Sequence, residues 1–185
     1  MRKLSEIAQI EQGYPFRSSV EAERDGNVAV IQIKDLSAID YKTLPRIVFK
    51  NSKYLLEQGD ILIAARSSLS AQTLQRIPIP CITTSSVLRI RIHNKAYSPL
   101  VLTTLLNSDL GRYTLTSLAG ERSMPVLSKR ELGNFPIPDI DPAEQIRYAN
   151  ALDSIQKTKQ ALTEKLSLIE QLETGLAQQL TRRDH

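Results

Sequence analysis

The chain has 185 residues, with 24 Lys and Arg against 20 Asp and Glu, and its formal net charge is +4. A single cysteine excludes an internal disulfide, and with only two histidines beside it the chain has too few ligands for a structural zinc site. The N-terminus lacks the apolar core of a signal peptide and no run of 18 apolar residues exists, which predicts a cytoplasmic protein.

The positive charge belongs to the first part of the chain. Residues 1–134 contain 18 basic and 12 acidic side chains, whereas residues 135–185 contain 6 and 8. A basic globular region suggests a polyanionic partner, although an excess of this size also occurs in proteins that never bind nucleic acid. Charge alone therefore leaves the partner open.

Short strands are predicted between the N-terminus and residue 92. Apolar residues from Leu4 to Ile10 indicate a short amphipathic turn or strand that closes at Gly13. In the last predicted strand, Arg89 and Arg91 alternate with apolar residues, which predicts one buried face and one solvent-facing face. The other runs of β-forming residues predict strands at 28–33, 47–49, 61–65 and 81–82.

Two helical segments are predicted next. Ser98 and Pro99 begin the first, and Gly120 follows its end. Ser128 and Glu131 form a capping box that begins the second, a short helical turn. The apolar face of the first helix is expected to consist of Leu102, Leu105, Leu106, Leu110 and Tyr113.

The last forty residues predict one long helix. Asp141 can cap it, Pro142 fits its first turn, and Gly175 is the only glycine among good helix formers. About 39 residues at 1.5 Å each would extend roughly 58 Å, which exceeds the diameter of a domain built from the rest of the chain. Its apolar residues recur at helical spacing and are Tyr148, Leu152, Ile155, Leu162, Leu166, Ile169, Leu172, Leu176 and Leu180.

This apolar stripe predicts that the helix pairs with another helix as a coiled coil. The predicted fold class is therefore α+β, with a strand-rich globular domain of residues 1–140 followed by a long dimerisation and spacer helix of residues 141–185. Lys157 and Lys159 interrupt the apolar stripe of the helix, and antiparallel pairing could bring them into register with Glu164, Glu170 and Glu173.

Catalytic constellations are missing from the sequence. No GxxxxGK[ST] motif and no GxGxxG motif after a strand is present to hold a nucleotide, and no Asn-Pro-Pro-aromatic motif is present for amino-group methylation. Asp40 and Lys42 have the Asp-x-Lys spacing of metal-dependent nucleases, but this tripeptide is common and suits a solvated turn. The chain is predicted to bind rather than to catalyse, with no cofactor and no metal. Two hydroxyl pairs lack a histidine to activate them and suit caps or phosphate contacts: Ser67 with Ser68, and Ser85 with Ser86.

The order of these motifs resembles half of a specificity subunit from a type I restriction-modification system. After an opening segment at 4–10, residues 13–16 read Gly-Tyr-Pro-Phe and match a Gly-x-Pro-Phe-like loop of the family. Residues 59–63 read Gly-Asp-Ile-Leu-Ile, as in the strand-rich target recognition domain. Residues 136–138 read Pro-Ile-Pro and, with the Glu-Gln pair at 144–145, match the junction that opens the family's long central helix.

The ordered set covers essentially the whole chain, but two features depart from the family pattern. Family members usually carry two target recognition domains and two long helices, and this sequence has one of each, as in a half-subunit form. In addition, Ser67 and Ser68 stand where family members often have glycine.

The resemblance implies a non-catalytic, sequence-specific DNA recognition subunit of a type I restriction-modification complex that methylates adenine in DNA. Its expected partners are double-stranded DNA, the methyltransferase (modification) subunit and, where the system has one, the restriction subunit. Direct readout needs basic and polar side chains on exposed loops. The candidate DNA-binding residues are Tyr14, Arg17, Ser18, Lys34, Arg66, Ser67, Ser68, Arg122 and Ser123.

Other residues near these loops are weaker candidates. Phe16 is expected to pack its loop down, and Arg89 with Arg91 could belong to an ordinary solvent-facing sheet surface. Lys129 and Arg130 could contact phosphate without sequence preference.

The long helix is expected to form an antiparallel homodimer. Two identical recognition domains related by a two-fold axis would then recognise an interrupted palindrome. Pairing with a second, different half-subunit remains the alternative for the helix. The competing functional hypotheses are a protein–protein adaptor with a coiled-coil docking helix and no DNA role, and a stand-alone nuclease or other enzyme. The residues expected in the helix interface are Leu152, Ile155, Leu162, Leu166, Ile169, Leu172 and Leu176.

Overall fold

The short apolar runs of the sequence become strands in the structure, a computed structural model that describes residues 1–94, 96–120 and 126–182. The chain divides into two units, Met1–Gln145 and Ile146–His185. Three short 3-10 helices lie in the first unit at Leu4–Glu6, Ile33–Asp35 and Ser52–Tyr54. The strands described there are β1 (Arg2–Lys3), β2 (Ala8–Gln12), β3 (Val28–Ile31), β4 (Arg46–Ile47), β5 (Ile61–Ala64), β6 (Ala71–Thr73), β7 (Cys81–Thr83), β8 (Val87–Ile92) and β9 (Pro136–Ile137).

These strands form a four-stranded sheet of order β2-β8-β5-β6, a three-stranded sheet of order β4-β3-β7, and the pair β1-β9. The four-stranded sheet is antiparallel, whereas β3 and β7 run parallel. Leu88 pairs with both Gln12 and Ile63, so the carboxyl ends of β2 and β5 lie at the same end of the sheet as the start of β8. That shared end positions the candidate site.

Apolar side chains are buried on both faces of the four-stranded sheet. One face, which includes Ile63 and Ile90, packs with Leu106 and Phe135. Burial of each such side chain contributes about 1.5–3 kcal/mol. The other face packs with residues of the three-stranded sheet, including Cys81, and burial raises the pKa of the Cys81 thiol to about 12.

The helix predicted after Ser98 is two helices, α1 (Pro99–Asn107) and α2 (Asp109–Ala119). The chain breaks at Ser108, whose extended backbone ends α1 and whose hydroxyl accepts the Gly111 N–H at 3.0 Å to cap α2. The prediction of one shared apolar face is therefore wrong for Leu110 and Tyr113, which are 73% and 75% exposed.

The predicted helix starts further along the chain are confirmed. The Ser128 hydroxyl and the Glu131 carboxylate form the capping box of α3 (Lys129–Gly133). The Asp141 carboxylate accepts the Ala143 N–H at 2.8 Å at the start of α4 (Pro142–Arg182), the long helix that the sequence predicts. The α+β fold class is thus confirmed. Within the described residues, none of the helices is long and apolar enough to cross a membrane.

The prediction that Arg89 and Arg91 face solvent is wrong. Arg89 is 6% exposed, forms an ion pair with Glu11 of β2 and donates to the Leu55 carbonyl at 3.1 Å. Arg91 forms an ion pair with Asp60 at 2.7 Å, and this hydrogen bond raises the pKa of Arg91. Alternation along β8 did not reveal the acidic partners, because these lie far away in sequence.

Candidate nucleic-acid interface

The connection from β7 to β8, residues 84–86, contacts three strand ends through backbone groups. The Thr84 N–H donates to the Ile31 carbonyl at the end of β3, at 3.3 Å. The Ala65 N–H, just after β5, donates to the Ser86 carbonyl at 2.9 Å. We call this segment the 84–86 turn, and it brings together the loops that follow β3 and β5.

The 84–86 turn also contacts the end of β2. The Gln12 side-chain amide donates to the Ser85 carbonyl at 2.8 Å, and just before the turn the carbonyl of Thr83, the last residue of β7, accepts the Tyr14 N–H at 2.7 Å. Gly13 lies so close that an added Cβ would be 2.3 Å from the Thr84 carbonyl oxygen. Only glycine fits this approach without displacing backbone, so the loop after β2 starts in contact with the turn.

The loop of residues 14–19 is held by aromatic packing. The Tyr14 ring makes edge contacts with Phe16, Phe49 and Tyr54, with centroid distances of 4.9, 5.0 and 5.2 Å. Phe16 therefore packs as predicted, and the ring of Tyr14, a candidate DNA-binding residue, is the centre of the same cluster. Arg17 and Ser18 follow this cluster in the chain and are exposed. The packed aromatic rings therefore hold the backbone from which these two candidates extend.

The loop of residues 66–68 has a strained backbone. Ser67 and Leu69 have φ angles of 65° and 47°, a left-handed conformation that residues other than glycine rarely adopt. The Leu69 side chain is buried in the core, and the Ser68 and Ser70 hydroxyls hydrogen-bond at 2.9 Å. Strain of this kind costs about 1–3 kcal/mol per residue and concentrates at functional sites. The buried leucine fixes the loop while Arg66, Ser67 and Ser68 stay exposed.

Two further parts of the described chain, around Lys34 and Val126, lie next to these loops. Lys34 is exposed on the 3-10 helix Ile33–Asp35, which follows the end of β3. Arg66 pairs with Val126 in an isolated antiparallel bridge, and the Leu127 N–H donates to the Ala65 carbonyl at 2.8 Å. The candidates Arg122 and Ser123 lie outside the described residues, and the described chain resumes beside Arg66.

The loops that carry the described candidates therefore all begin at one end of the sheets, around the 84–86 turn. Across the described residues, the side chains of Arg17, Lys34 and Arg66 form no ion pair and no hydrogen bond, in contrast to Arg89 and Arg91. This end can supply unneutralised guanidinium and ammonium groups to an anionic ligand.

The hydroxyl groups of the 84–86 turn add further polar groups to the basic side chains of this sheet end. Thr84, Ser85 and Ser86 are half-buried, and their hydroxyls donate to no group in the part of the chain that the structure describes. The sequence signal was present, because Ser85 and Ser86 form a hydroxyl pair, but nothing local placed them beside the other loops. Their central position rests on long-range backbone pairing.

The nuclease-like tripeptide forms an ordinary turn. The Asp40 carboxylate accepts the Lys42 N–H at 3.0 Å, and both residues are exposed. Over the described ranges, no group of three or more His, Cys, Asp and Glu side chains could hold a metal ion.

Comparison with protein families identifies the chain. The family model of the type I restriction modification DNA specificity domain matches residues 1–174, and the chain belongs to this family. No curated protein sequence gives a match.

Solved structures share the fold. The HsdS subunit from Thermoanaerobacter tengcongensis is 23% identical with a TM-score of 0.59, and the match covers 86% of this chain and 38% of that chain. A chain of a type I R-M system is 22% identical with a TM-score of 0.63, covering 87% and 39%. The S subunit from M. genitalium is 12% identical with a TM-score of 0.62, covering 88% and 40%. This chain thus spans about two fifths of the length of these proteins.

Substitution of glycine at two adjacent serines tests the strained loop. We expect Ser67→Gly to keep or raise the free energy of unfolding, because glycine relieves the positive φ. Ser68→Gly, at a residue whose φ is not positive, is expected to lower it by at least about 0.4–1 kcal/mol, because glycine raises the unfolded-state entropy and the hydrogen bond to the Ser70 hydroxyl is lost. Urea unfolding measures both, and equal losses would contradict the left-handed conformation at residue 67.

Proposed function

We propose that the chain recognises a specific DNA sequence as the specificity subunit of a type I restriction-modification system. The observation that carries this proposal is that the loops of three exposed basic residues without an ion-pair partner in the described chain, Arg17, Lys34 and Arg66, begin at one sheet end around the 84–86 turn. Membership of the specificity-domain family supports it. Contact with phosphates and readout of nucleobases both require basic side chains whose charge is not neutralised and whose loops are rigid.

The loops differ in what they can do on DNA. An arginine fork can pair with both acceptors on the major-groove edge of guanine, and serine hydroxyls can pair with several bases. We assign this direct readout to the 66–68 loop, because the buried Leu69 and the Arg66–Val126 bridge hold the backbone that carries Arg66. Lys34 is better suited to phosphate, because its ammonium group is a point charge without a planar fork. Arg122 and Ser123, which lie outside the described residues, remain part of the proposal.

The proposed role is non-catalytic. Methyl transfer to DNA, and any cleavage, would belong to a modification subunit and a restriction subunit that bind this chain. The recognition chain itself would need no cofactor.

The long helix supports a proposed dimer. Along α4 the apolar residues follow a heptad pattern, and those of the stripe from Ile155 to Leu176 are half to two-thirds exposed. In one heptad position every residue is apolar, and the other alternates Leu152 and Leu166 with Lys159 and Glu173. The residues that share the fully apolar position are Tyr148, Ile155, Leu162, Ile169 and Leu176. A second copy of this helix would cover the stripe.

The two charges inside the stripe favour antiparallel pairing. If the two-fold axis passes near residue 164, Lys159 lies about one helical turn from the partner's Glu173 along the pair. Helical side chains lean toward the N-terminus of their own helix, so in antiparallel helices these two side chains lean toward each other. In a parallel pair identical residues would meet, and two Lys159 side chains would face each other.

An antiparallel pair puts the helix N-termini, and the recognition units that precede them, at opposite ends. Two identical recognition units related by a two-fold axis would recognise inverted copies of one half-site. The proposed target is therefore an interrupted palindrome whose gap depends on the helix length.

The first test of DNA recognition uses Arg66→Ala. Methylation mapping of the source genome with the gene present and deleted identifies the target, and fluorescence anisotropy then measures binding to target and scrambled duplexes over a salt range. We expect wild-type affinity to fall steeply with salt. Arg66→Ala should lose about 1–3 kcal/mol of discrimination between the duplexes, because it removes one base contact.

The matched control is Arg76→Ala, which removes an exposed arginine from the loop before β7, at the opposite end of that strand from the 84–86 turn. It should keep wild-type discrimination. Loss of discrimination in both variants would contradict the assigned face. Wild-type binding that does not depend on salt would favour the adaptor reading instead.

The dimer is tested with the double variant Leu166→Glu/Ile169→Glu. Charges in the stripe should prevent helix pairing, because burying unpaired carboxylates is costly. Sedimentation equilibrium at tens of micromolar should show a wild-type dimer and a monomeric variant, and the variant should lose affinity for the full palindrome but not for one half-site.

The matched control is Ser167→Glu/Gln171→Glu, which adds the same charge at exposed positions outside the stripe. It should remain a dimer. A monomeric wild-type chain or a target with two dissimilar halves would contradict the homodimer, and a different co-purifying half-subunit would identify the alternative partner.

A further inference from the structure

A groove lies beside the 84–86 turn, and Pro15 of the 14–19 loop contributes to its lining. Its volume is about 360 Å³, within the range of about 300–1,000 Å³ typical of ligand sites. Strand β2 forms one wall, and the 3-10 helix Ser52–Tyr54 and the first residue of α3 contribute to the others. The lining residues that matter here are Glu11, Gln12, Lys53, Tyr54, Ser85 and Lys129.

The groove carries a net positive charge. Its one carboxylate, Glu11, is neutralised by the buried Arg89 guanidinium. Lys53 and Lys129 are exposed and form no ion pair among the described residues, and the Lys53 ammonium lies 6.0 Å from the Tyr54 ring centroid. Two ammonium groups therefore line one concave surface without a protein counter-ion.

The groove is continuous with the proposed recognition face. Ser85 belongs to both, since its carbonyl accepts from Gln12 while its hydroxyl makes no hydrogen bond to any described residue. A DNA strand read by the loops around the 84–86 turn would thus pass a surface that offers two ammonium groups and one hydroxyl.

We propose that this groove binds a phosphodiester group of the DNA backbone, with Lys53 and Lys129 on either side of it and Ser85 donating to a phosphate oxygen. The proposal rests on the proposed function. Lysine is a flexible point charge that suits phosphate oxygens, whereas base edges are read best by planar arginine or amide groups. The contact therefore anchors the register of the DNA and carries no sequence information.

The test is the double variant Lys53→Gln/Lys129→Gln, measured on target and scrambled duplexes over a salt range. Loss of one phosphate contact should reduce the slope of log K against log salt by about 0.9. Affinity should fall by the same factor on both duplexes, so that their affinity ratio is unchanged. This result separates the groove from Arg66, whose loss changes that ratio.

The matched control is Arg24→Gln/Arg76→Gln, which removes the same charge from exposed residues that precede β3 and β7, away from the 84–86 turn. Its salt slope should stay at the wild-type value, and circular dichroism should show that both double variants fold.

An unchanged slope in the lysine variant would overturn the phosphate contact and point to an acidic protein surface as the occupant. Weaker binding on the target alone would overturn it in favour of base readout. A wild-type chain without salt-dependent DNA binding would contradict the proposed function itself.

Discussion

The arrangement of the loops depends on the backbone hydrogen bonds of the 84–86 turn. This turn connects the two larger sheets, and its peptide groups pair with the ends of β3 and β5, while Gln12 at the end of β2 donates to Ser85. Buried peptide groups must be paired, so the turn can move only if these partners move with it. The close approach of Gly13 adds a steric limit that side chains elsewhere cannot relax. The loops after three strands consequently share one fixed support.

The charged residues divide into two groups with different roles. Arg89 and Arg91 are bound by Glu11, Glu57 and Asp60, and loss of Glu11 would leave the buried Arg89 guanidinium without its carboxylate partner, which is destabilising. The basic side chains Arg17, Lys34 and Arg66 have no such partners, so their charge is not neutralised within the described structure. The Coulomb energy of these basic side chains becomes favourable only with an external anion. These side chains, and not the net charge of +4, therefore support a DNA partner.

Local sequence signals predicted much of the fold. The capping box at Ser128, the cap at Asp141 and the uninterrupted helix α4 follow from interactions between residues three or four positions apart, which a sequence shows directly. The break at Ser108 was missed because serine is tolerated within helices and is also a cap, so its neighbours alone do not decide. The pairing of Arg89 with Glu11 and the central position of the 84–86 turn depend on strand register, which no short motif encodes. The candidate loops could be chosen from composition, but their convergence could not.

The central claim is that the sheet end around the 84–86 turn faces DNA. Photocrosslinking tests it most directly, with an aryl azide attached to cysteine in a Ser85→Cys variant or, as the comparison, in Arg76→Cys. The native Cys81 is buried with a raised thiol pKa of about 12, so it should not be labelled in the folded chain. The account predicts crosslinks to a duplex from residue 85 and none above background from residue 76. Crosslinks from residue 76 with none from residue 85 would contradict it.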